Sequence, residues 1–184
     1  AADQRAISGQ VQPPSERGAV GQDFVAGAVR EGVGLLDITG FSRYEVSGPK
    51  AEAWLDGLLA TRLPKPGRAR LAVMLSPEGR LKGDLTLFNW GDGTWWIMGS
   101  YYLRAWHMRW FLDHLIDGVS VRDIGEETCG FALTGPNSRK VLERLVEDDV
   151  TLPFMGCAEL DVGLIRTRVG RMSVAGELGF EMNC

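Results

Sequence analysis

Asp84 is a carboxylate set in an apolar run, Gly79-Arg-Leu-Lys-Gly-Asp-Leu-Thr-Leu87. If the run is a strand, alternation puts Leu81, Gly83, Leu85 and Leu87 on one face and Asp84 on the other, with Lys82 and Thr86. Such a face is either solvated beside its lysine or brings an acid to a ligand, where it holds or moves a proton. Two further acids, Glu177 and Glu181, stand four apart in Gly176-Glu-Leu-Gly-Phe-Glu-Met182. Four is an even strand offset, so they share one side. They are either charges on an edge strand or an anchor. A buried carboxylate there accepts two parallel N–H bonds from a 2-amino-4-oxo heterocycle.

Arg62, Lys65, Arg68, Arg70, Arg80 and Lys82 fall in one stretch opposed only by Glu78, and Arg166, Arg168 and Arg171 recur later. Runs of cations usually form solvated faces; these also suit an anionic ligand tail in a chain of net charge −4. Trp90, Trp95, Trp96, Trp106 and Trp110 cluster, for core packing or for stacking on a flat ring. His107 reads as a packing or helix-surface residue, with nothing nearby to complete a triad. His107 and His114, with Cys129, Cys157 and Cys184 and no CxxC, build neither a metal site nor a disulfide framework, so no metal is expected. No glycine pattern of a dinucleotide, flavin or P-loop site is present.

These residues must be positioned by a chain of 184 residues, enough for one domain with a real core. The mild acidity argues against nucleic acid. The longest run free of charge, Gly93–Leu103, is 11 residues, too short to span a membrane. Without a signal-like N-terminus, the default location is cytoplasmic, or the mitochondrial matrix in a eukaryote. Residues 1–22, with Pro13-Pro14, read as a flexible arm or linker. Phe24, Val25, Ala28 and Val29 then fit a helical face stopped by Gly32 and Gly34, and Leu35–Val46 reads as strand.

The 24 glycines, nearly twice the usual share, imply many tight turns, and several punctuate an internal repeat. Tyr44-Glu-Val-Ser-Gly-Pro49 leads into Ala51, Trp54, Leu55, Leu58 and Leu59; Phe131-Ala-Leu-Thr-Gly-Pro136 leads into Ser138, Val141, Leu142, Leu145 and Val146. The offset, 138 − 51, is 87 throughout. Each copy predicts a strand, a Gly-Pro turn and a helix with one apolar stripe. Leu71–Leu75, Leu81–Phe88 and Thr94–Met98 follow as hairpin-linked strands. Tyr101–Ile116 reads as a helix with Tyr101, Ala105, Met108, Leu112 and Leu115 on its stripe. After the second copy come Leu160–Val169, Met172–Ala175 and Phe180–Met182 as strands. The expected fold is α+β: two repeated βαβ-type units, about 23–118 and 119–184, with antiparallel sheets and packed helices. The second unit lacks its closing helix, as if truncated at the C-terminus.

Five motifs in order carry a resemblance: Ala28-Val-Arg-Glu-Gly-Val-Gly-Leu-Leu-Asp-Ile-Thr39, Val46-Ser-Gly-Pro-Lys-Ala51, Met74-Leu-Ser-Pro-Glu-Gly-Arg-Leu-Lys-Gly-Asp-Leu85, Leu133-Thr-Gly-Pro-Asn-Ser-Arg139 and Gly176-Glu-Leu-Gly-Phe-Glu181. From about Ala28 onward the chain resembles the folate-binding domain of the aminomethyltransferase (glycine cleavage system T-protein) superfamily. It departs from T-proteins at Gly83-Asp-Leu85, where they carry Asp-Asp-Leu, at Asp37-Ile-Thr-Gly-Phe41, where they carry Asp-Val-Ser-His-Met, and at Met98-Gly-Ser100, where they carry Val-Asn-Ala. In all three it is more similar to the folate-dependent C-terminal part of dimethylglycine and sarcosine dehydrogenases, as is Trp106-His-Met-Arg-Trp-Phe111.

The resemblance implies that tetrahydrofolate lies between the two units, its aminopyrimidine edge on Glu181, with Glu177 the second choice. It implies Asp84 as the catalytic acid near N5 and N10. Leu71 falls at a family tyrosine that precedes the central strand, and Gly99 at the strand-end asparagine. The implied activity is one-carbon transfer from a methylamine such as dimethylglycine or sarcosine, giving 5,10-methylenetetrahydrofolate, within a larger flavin dehydrogenase whose FAD sits on a separate domain. A stand-alone aminomethyltransferase taking its donor from a lipoyl carrier, or a folate-dependent demethylase, shares the scaffold. So do non-enzymatic folate-binding iron–sulfur assembly factors, whose Lys-Gly-Cys loop none of the three cysteines matches.

Overall fold

The computed structural model describes residues 26–173 and 176–184. The expected arm at 1–22, Phe24 and Val25 lie outside the described residues. Helical residues 26–31 (α1) lead into β1 (Gly34–Asp37), β2 (Ser42–Ser47), α2 (Ala51–Leu58), β3 (Arg68–Leu75), β4 (Leu81–Asn89) and β5 (Trp95–Gly99). A 3-10 turn (Tyr101–Leu103) runs into α3 (Arg104–Asp113). Then come β6 (Ser120–Asp123), β7 (Gly130–Thr134), α4 (Ser138–Leu142), β8 (Cys157–Val162), β9 (Ile165–Gly170) and β10 (Gly179–Asn183). The named strands form two five-stranded sheets, β3-β4-β5-β2-β6 and β1-β7-β10-β9-β8, antiparallel throughout. This is the α+β architecture the repeat implied.

The two Gly-Pro turns do the same work at both offsets. Gly48 and Gly135 have φ of +112° and +117°, a region that disfavours side chains. At each, a Cβ would strike backbone: the Gly118 carbonyl beside Gly48, and the Val29 and Gly32 carbonyls beside Gly135. The matched N–H groups two residues on are matched in partner as well, Lys50 to Gly118 at 3.2 Å and Asn137 to Gly32 at 3.1 Å. Gly32 therefore stands to the second turn as Gly118 stands to the first.

The consequence is an exchange between the units. β6, which follows Gly118, is the edge strand beside β2; β1, which follows Gly32, is the edge strand beside β7. In the second sheet β1 holds the edge place that β6 holds in the first, while α1 lies against the face that carries Glu181. The apolar stretch Leu35–Val46, expected as one strand, is accordingly divided between the two sheets by the turn at 39–40.

Four further expectations need correction. Leu160–Val169 is a hairpin, β8 and β9, turning at Gly163 with φ +62°. The second repeat helix ends at Leu142, although Val146 is still buried. On α3 the buried residues are His107 and Phe111, while Tyr101, Leu112 and Leu115 are exposed. A stripe counted from Tyr101 at 3.6 residues per turn loses phase in the 3-10 turn, which takes three. Of Met172–Ala175, Met172 and Ser173 are not in a strand, and the last two lie outside the described residues.

One apolar cluster packs α2 and α3 on the first sheet through Trp54, Leu55, Phe111, Tyr44 and Ile97. A second packs α4 on the second sheet around Leu142, Val169 and Phe180. A third, with Ala69, Phe88, Trp96, Met98 and Cys157, joins the two sheets. Beside it, Ala69 N–H donates to the Met155 carbonyl at 2.8 Å and Cys157 N–H to the Gly67 carbonyl at 2.9 Å. With their helix-covered faces turned to their own clusters, the sheets leave their other faces to form the walls of a cleft.

Candidate functional site

Glu181 sits in the middle of β10, paired across the ladder with Ala132 on β7 and Gly170 on β9. Its neighbours Phe180 and Met182 belong to the second apolar cluster, so alternation turns Glu181 to the opposite face. There it lines three adjoining cavities of about 850, 440 and 370 Å³. Among the described residues its carboxylate makes no hydrogen bond or ion pair. Burial raises its pKa above the ordinary glutamate value, and the Arg43 guanidinium partly offsets this. A half-buried acid with unused acceptors is held open to a ligand that brings donors.

The 850 Å³ cavity is lined by Arg62, Lys65, Arg68 and Arg70, from β3 and the segment before it, and by Glu181 from β10. None of these four cations is in an ion pair among the described residues. Leu71 lies on its wall, two-thirds exposed, opposite Thr86 in the β3–β4 register. The 440 Å³ cavity holds Asp84, Gly99 and Glu181 together and shares Thr86 with the first. The 370 Å³ cavity holds Glu177 and Glu181 and shares Met172 and Ser173 with the first. The four residues placed with Glu181 by the resemblance, Leu71, Asp84, Gly99 and Glu177, thus each line a cavity that Glu181 also lines. Glu177 does so from the bend before β10, since the strand begins only at Gly179.

Other expectations divide. Lys82 lines the 440 Å³ cavity with Asp84 and Thr86, as the alternation predicted, and its ammonium stands 5.2 Å from the ring centres of both Trp106 and Trp110. Arg166 and Arg168 are used within the fold, paired to Glu159, Asp161 and Asp92, and Arg171 donates to the Leu152 carbonyl. The tryptophans line none of the three cavities. Trp90 stacks on Phe88, and Arg168 lies over Trp90 and Trp96, so this cluster packs the sheets together.

Two further residues support the site: Arg43, which the sequence did not single out, and His107, which it read only as a packing or helix-surface residue. Arg43 on β2 is fully buried, and its Nε donates to Asn183 Oδ1 of β10 at 2.8 Å. Its other donors reach the carbonyls of Ile38, Thr39 and Phe41 at 3.0 Å. It ties the sheets together and places a fixed positive charge near Glu181. His107 is fully buried under the floor of the 440 Å³ cavity. A Cβ at Gly83 would lie 3.2 Å from its Nε2 and one at Gly99 3.3 Å from its Nδ1. The two glycines that flank Asp84's cavity make room for that ring, and burial lowers its pKa. Neither residue carries a sequence signal, because both depend on contacts across long separations.

Residues 18–184 match the family described as the GCVT N-terminal domain. The chain is 28% identical over 160 residues to the mitochondrial dimethylglycine dehydrogenase of Rattus norvegicus, covering 84% of this chain and 19% of that protein. It is 29% identical over 161 residues to an aminomethyltransferase of Geobacillus kaustophilus, covering 85% of this chain and 44% of that one. It therefore spans less than half the length of either relative. Among solved structures, aminomethyltransferase T of the glycine cleavage system from Bartonella henselae superposes with a TM-score of 0.75 at 24% identity, over 84% of this chain and 42% of that one. A chain of the heterotetrameric sarcosine oxidase of Corynebacterium sp. U-96 superposes at 0.64 and 15% identity, over 92% and 87%. At these identities the structural likeness speaks for the fold.

Proposed function

The chain belongs to the GCVT N-terminal domain family, and from that premise we propose that it binds tetrahydrofolate and takes part in transferring a one-carbon unit to it. The observation that carries this reading is the Glu181 carboxylate, without a partner among the described residues, where the three cavities meet. A 2-amino-4-oxo pteridine presents two parallel N–H donors to such an acceptor, and the folate tail ends in carboxylates. The cleft offers both complements: the Glu181 acid and the cations Arg62, Lys65, Arg68 and Arg70 line one cavity.

Bound there, tetrahydrofolate supplies the nucleophilic N5 and N10 that take up the carbon, giving 5,10-methylenetetrahydrofolate. The residues of this chain bind, orient and handle protons. Glu181 binds as the carboxylate, so donor groups and the nearby Arg43 charge together stabilise the ionised form that burial disfavours. The cations fix the other end and with it the orientation. Asp84, on the wall of the 440 Å³ cavity shared with Glu181, would hold or accept the proton that a folate N–H gives up in taking the carbon, and its charge would favour a cationic iminium. The dehydrogenase-like motifs favour a methylamine donor such as dimethylglycine or sarcosine, delivered by a flavin domain elsewhere in a longer parent protein or complex.

Calorimetric titration with tetrahydrofolate tests the core of this reading. Saturable one-to-one binding, weakened by a change at Glu181, is the expected result. Wild-type chain that takes up no heat from tetrahydrofolate, alone and within its parent protein, overturns it.

A further inference from the structure

Two thiols that one-carbon transfer does not use are brought face to face. Cys129 and Cys184 lie one position beyond the β7–β10 ladder, whose last paired residues are Gly130 and Asn183. Their main chains exchange both hydrogen bonds, Cys129 N–H to the Cys184 carbonyl at 2.7 Å and Cys184 N–H to the Cys129 carbonyl at 3.0 Å. Antiparallel pairs of that kind set their Cα atoms about 5.5 Å apart, within the span a disulfide bridges. The Sγ atoms are 3.2 Å apart and neither residue is fully buried. Burial and the facing Cys129 thiol push the Cys184 thiol above the ordinary cysteine value, and the buried Arg43 guanidinium nearby partly offsets this. Among the described residues no cluster of three or more His, Cys, Asp or Glu includes the pair, so nothing marks it as a metal site.

We propose that Cys129 and Cys184 are a reversible redox pair that closes to a cross-strand disulfide by exchange with a small-molecule disulfide of the glutathione class. One thiolate attacks the small disulfide and expels one thiolate, leaving a mixed disulfide. The second cysteine thiolate attacks the protein sulfur of that bond and expels the other. The two cysteines lose two electrons and two protons in all, and the oxidant leaves as two thiols. Partial exposure lets a reducing thiol reverse the step. Closure covalently holds the end of β10, three residues beyond Glu181 and one beyond Asn183, the acceptor for Arg43.

The test equilibrates the native chain in glutathione buffers of graded oxidised-to-reduced ratio, traps free thiols and maps the bonds by mass spectrometry. Cys157 is the internal control. It is buried, its thiol is pushed up to about 12, and it stays unreactive while the chain is folded. The expected result is loss of two alkylatable thiols, a mass lower by two hydrogens, a linked peptide pair containing Cys129 and Cys184, and full return in reduced glutathione. In Cys129→Ser and Cys184→Ser the surviving cysteine carries glutathione and no internal bond forms. Cys129 and Cys184 both alkylatable at every ratio, separate glutathione adducts on both wild-type cysteines, or bonds only between chains overturn the proposal. No folate is present, so the result stands apart from the folate reading.

Discussion

Replacing Glu181 with glutamine separates binding from folding in one variant, because the two respond with opposite sign. The swap keeps the size of the side chain but exchanges one acceptor oxygen for a donor NH2, which then faces a pteridine N–H. Two hydrogen bonds to a charged acceptor are lost or reversed, at about 1.5 kcal/mol or more each. The sum, about 3 kcal/mol, weakens the tetrahydrofolate Kd about a hundredfold or more. The unliganded protein responds the other way. Burial holds the folded-state pKa of Glu181 above the unfolded value. The folded chain therefore binds more protons between the two values, and stability is lost as pH rises from the ordinary glutamate range through the folded pKa. Glutamine removes that loss, so the variant melts at a higher temperature than wild type at neutral pH, and the difference shrinks toward acid. Calorimetric titration reads the first effect and thermal melts across pH read the second. A glutamine variant that keeps wild-type affinity, or that melts lower at neutral pH and not in acid, would refute the assignment of Glu181 as an ionised anchor held against its own desolvation.

Asp84→Asn leaves the anchor and the cations in place, so folate affinity stays within about threefold while turnover in the complete parent enzyme falls about 10²-fold or more. Equal loss of both would remove Asp84 from the chemistry. Arg62→Ala and Arg70→Ala each weaken tetrahydrofolate by about 1 kcal/mol or less at low salt, and added salt narrows the gap; salt-independent binding in wild type would contradict a charged tail site. Gly130→Ala puts a methyl into the Arg43 guanidinium and costs about 1–3 kcal/mol, read by urea unfolding; a neutral effect would mean Arg43 is free to move.

Much of this protein is local and therefore legible in the order of residues. The Gly-Pro turns at Gly48 and Gly135 need a backbone that glycine adopts freely, and the helix after each carries its own stripe. The hairpins of β3, β4 and β5 announce themselves by apolar runs between turn residues. The acids Asp84, Glu177 and Glu181 stand out because carboxylates in strand-like runs require a reason. What required the tertiary structure is everything that joins distant segments. Alternation could not say which sheet β1 and β6 join, because edge pairing is decided by where Gly32 and Gly118 meet the turns. Nor could it show that Arg43 reaches Asn183, 140 positions away, or that Cys129 faces Cys184. The helical period misjudged α3, because the 3-10 turn shifted its phase and because Tyr44 and the sheet beneath select His107 and Phe111. Residue types and spacing determine which groups are available for chemistry. Long-range packing decides which of them share a cavity, since burial, charge and hydrogen bonding act between neighbours in space, whatever their distance along the chain.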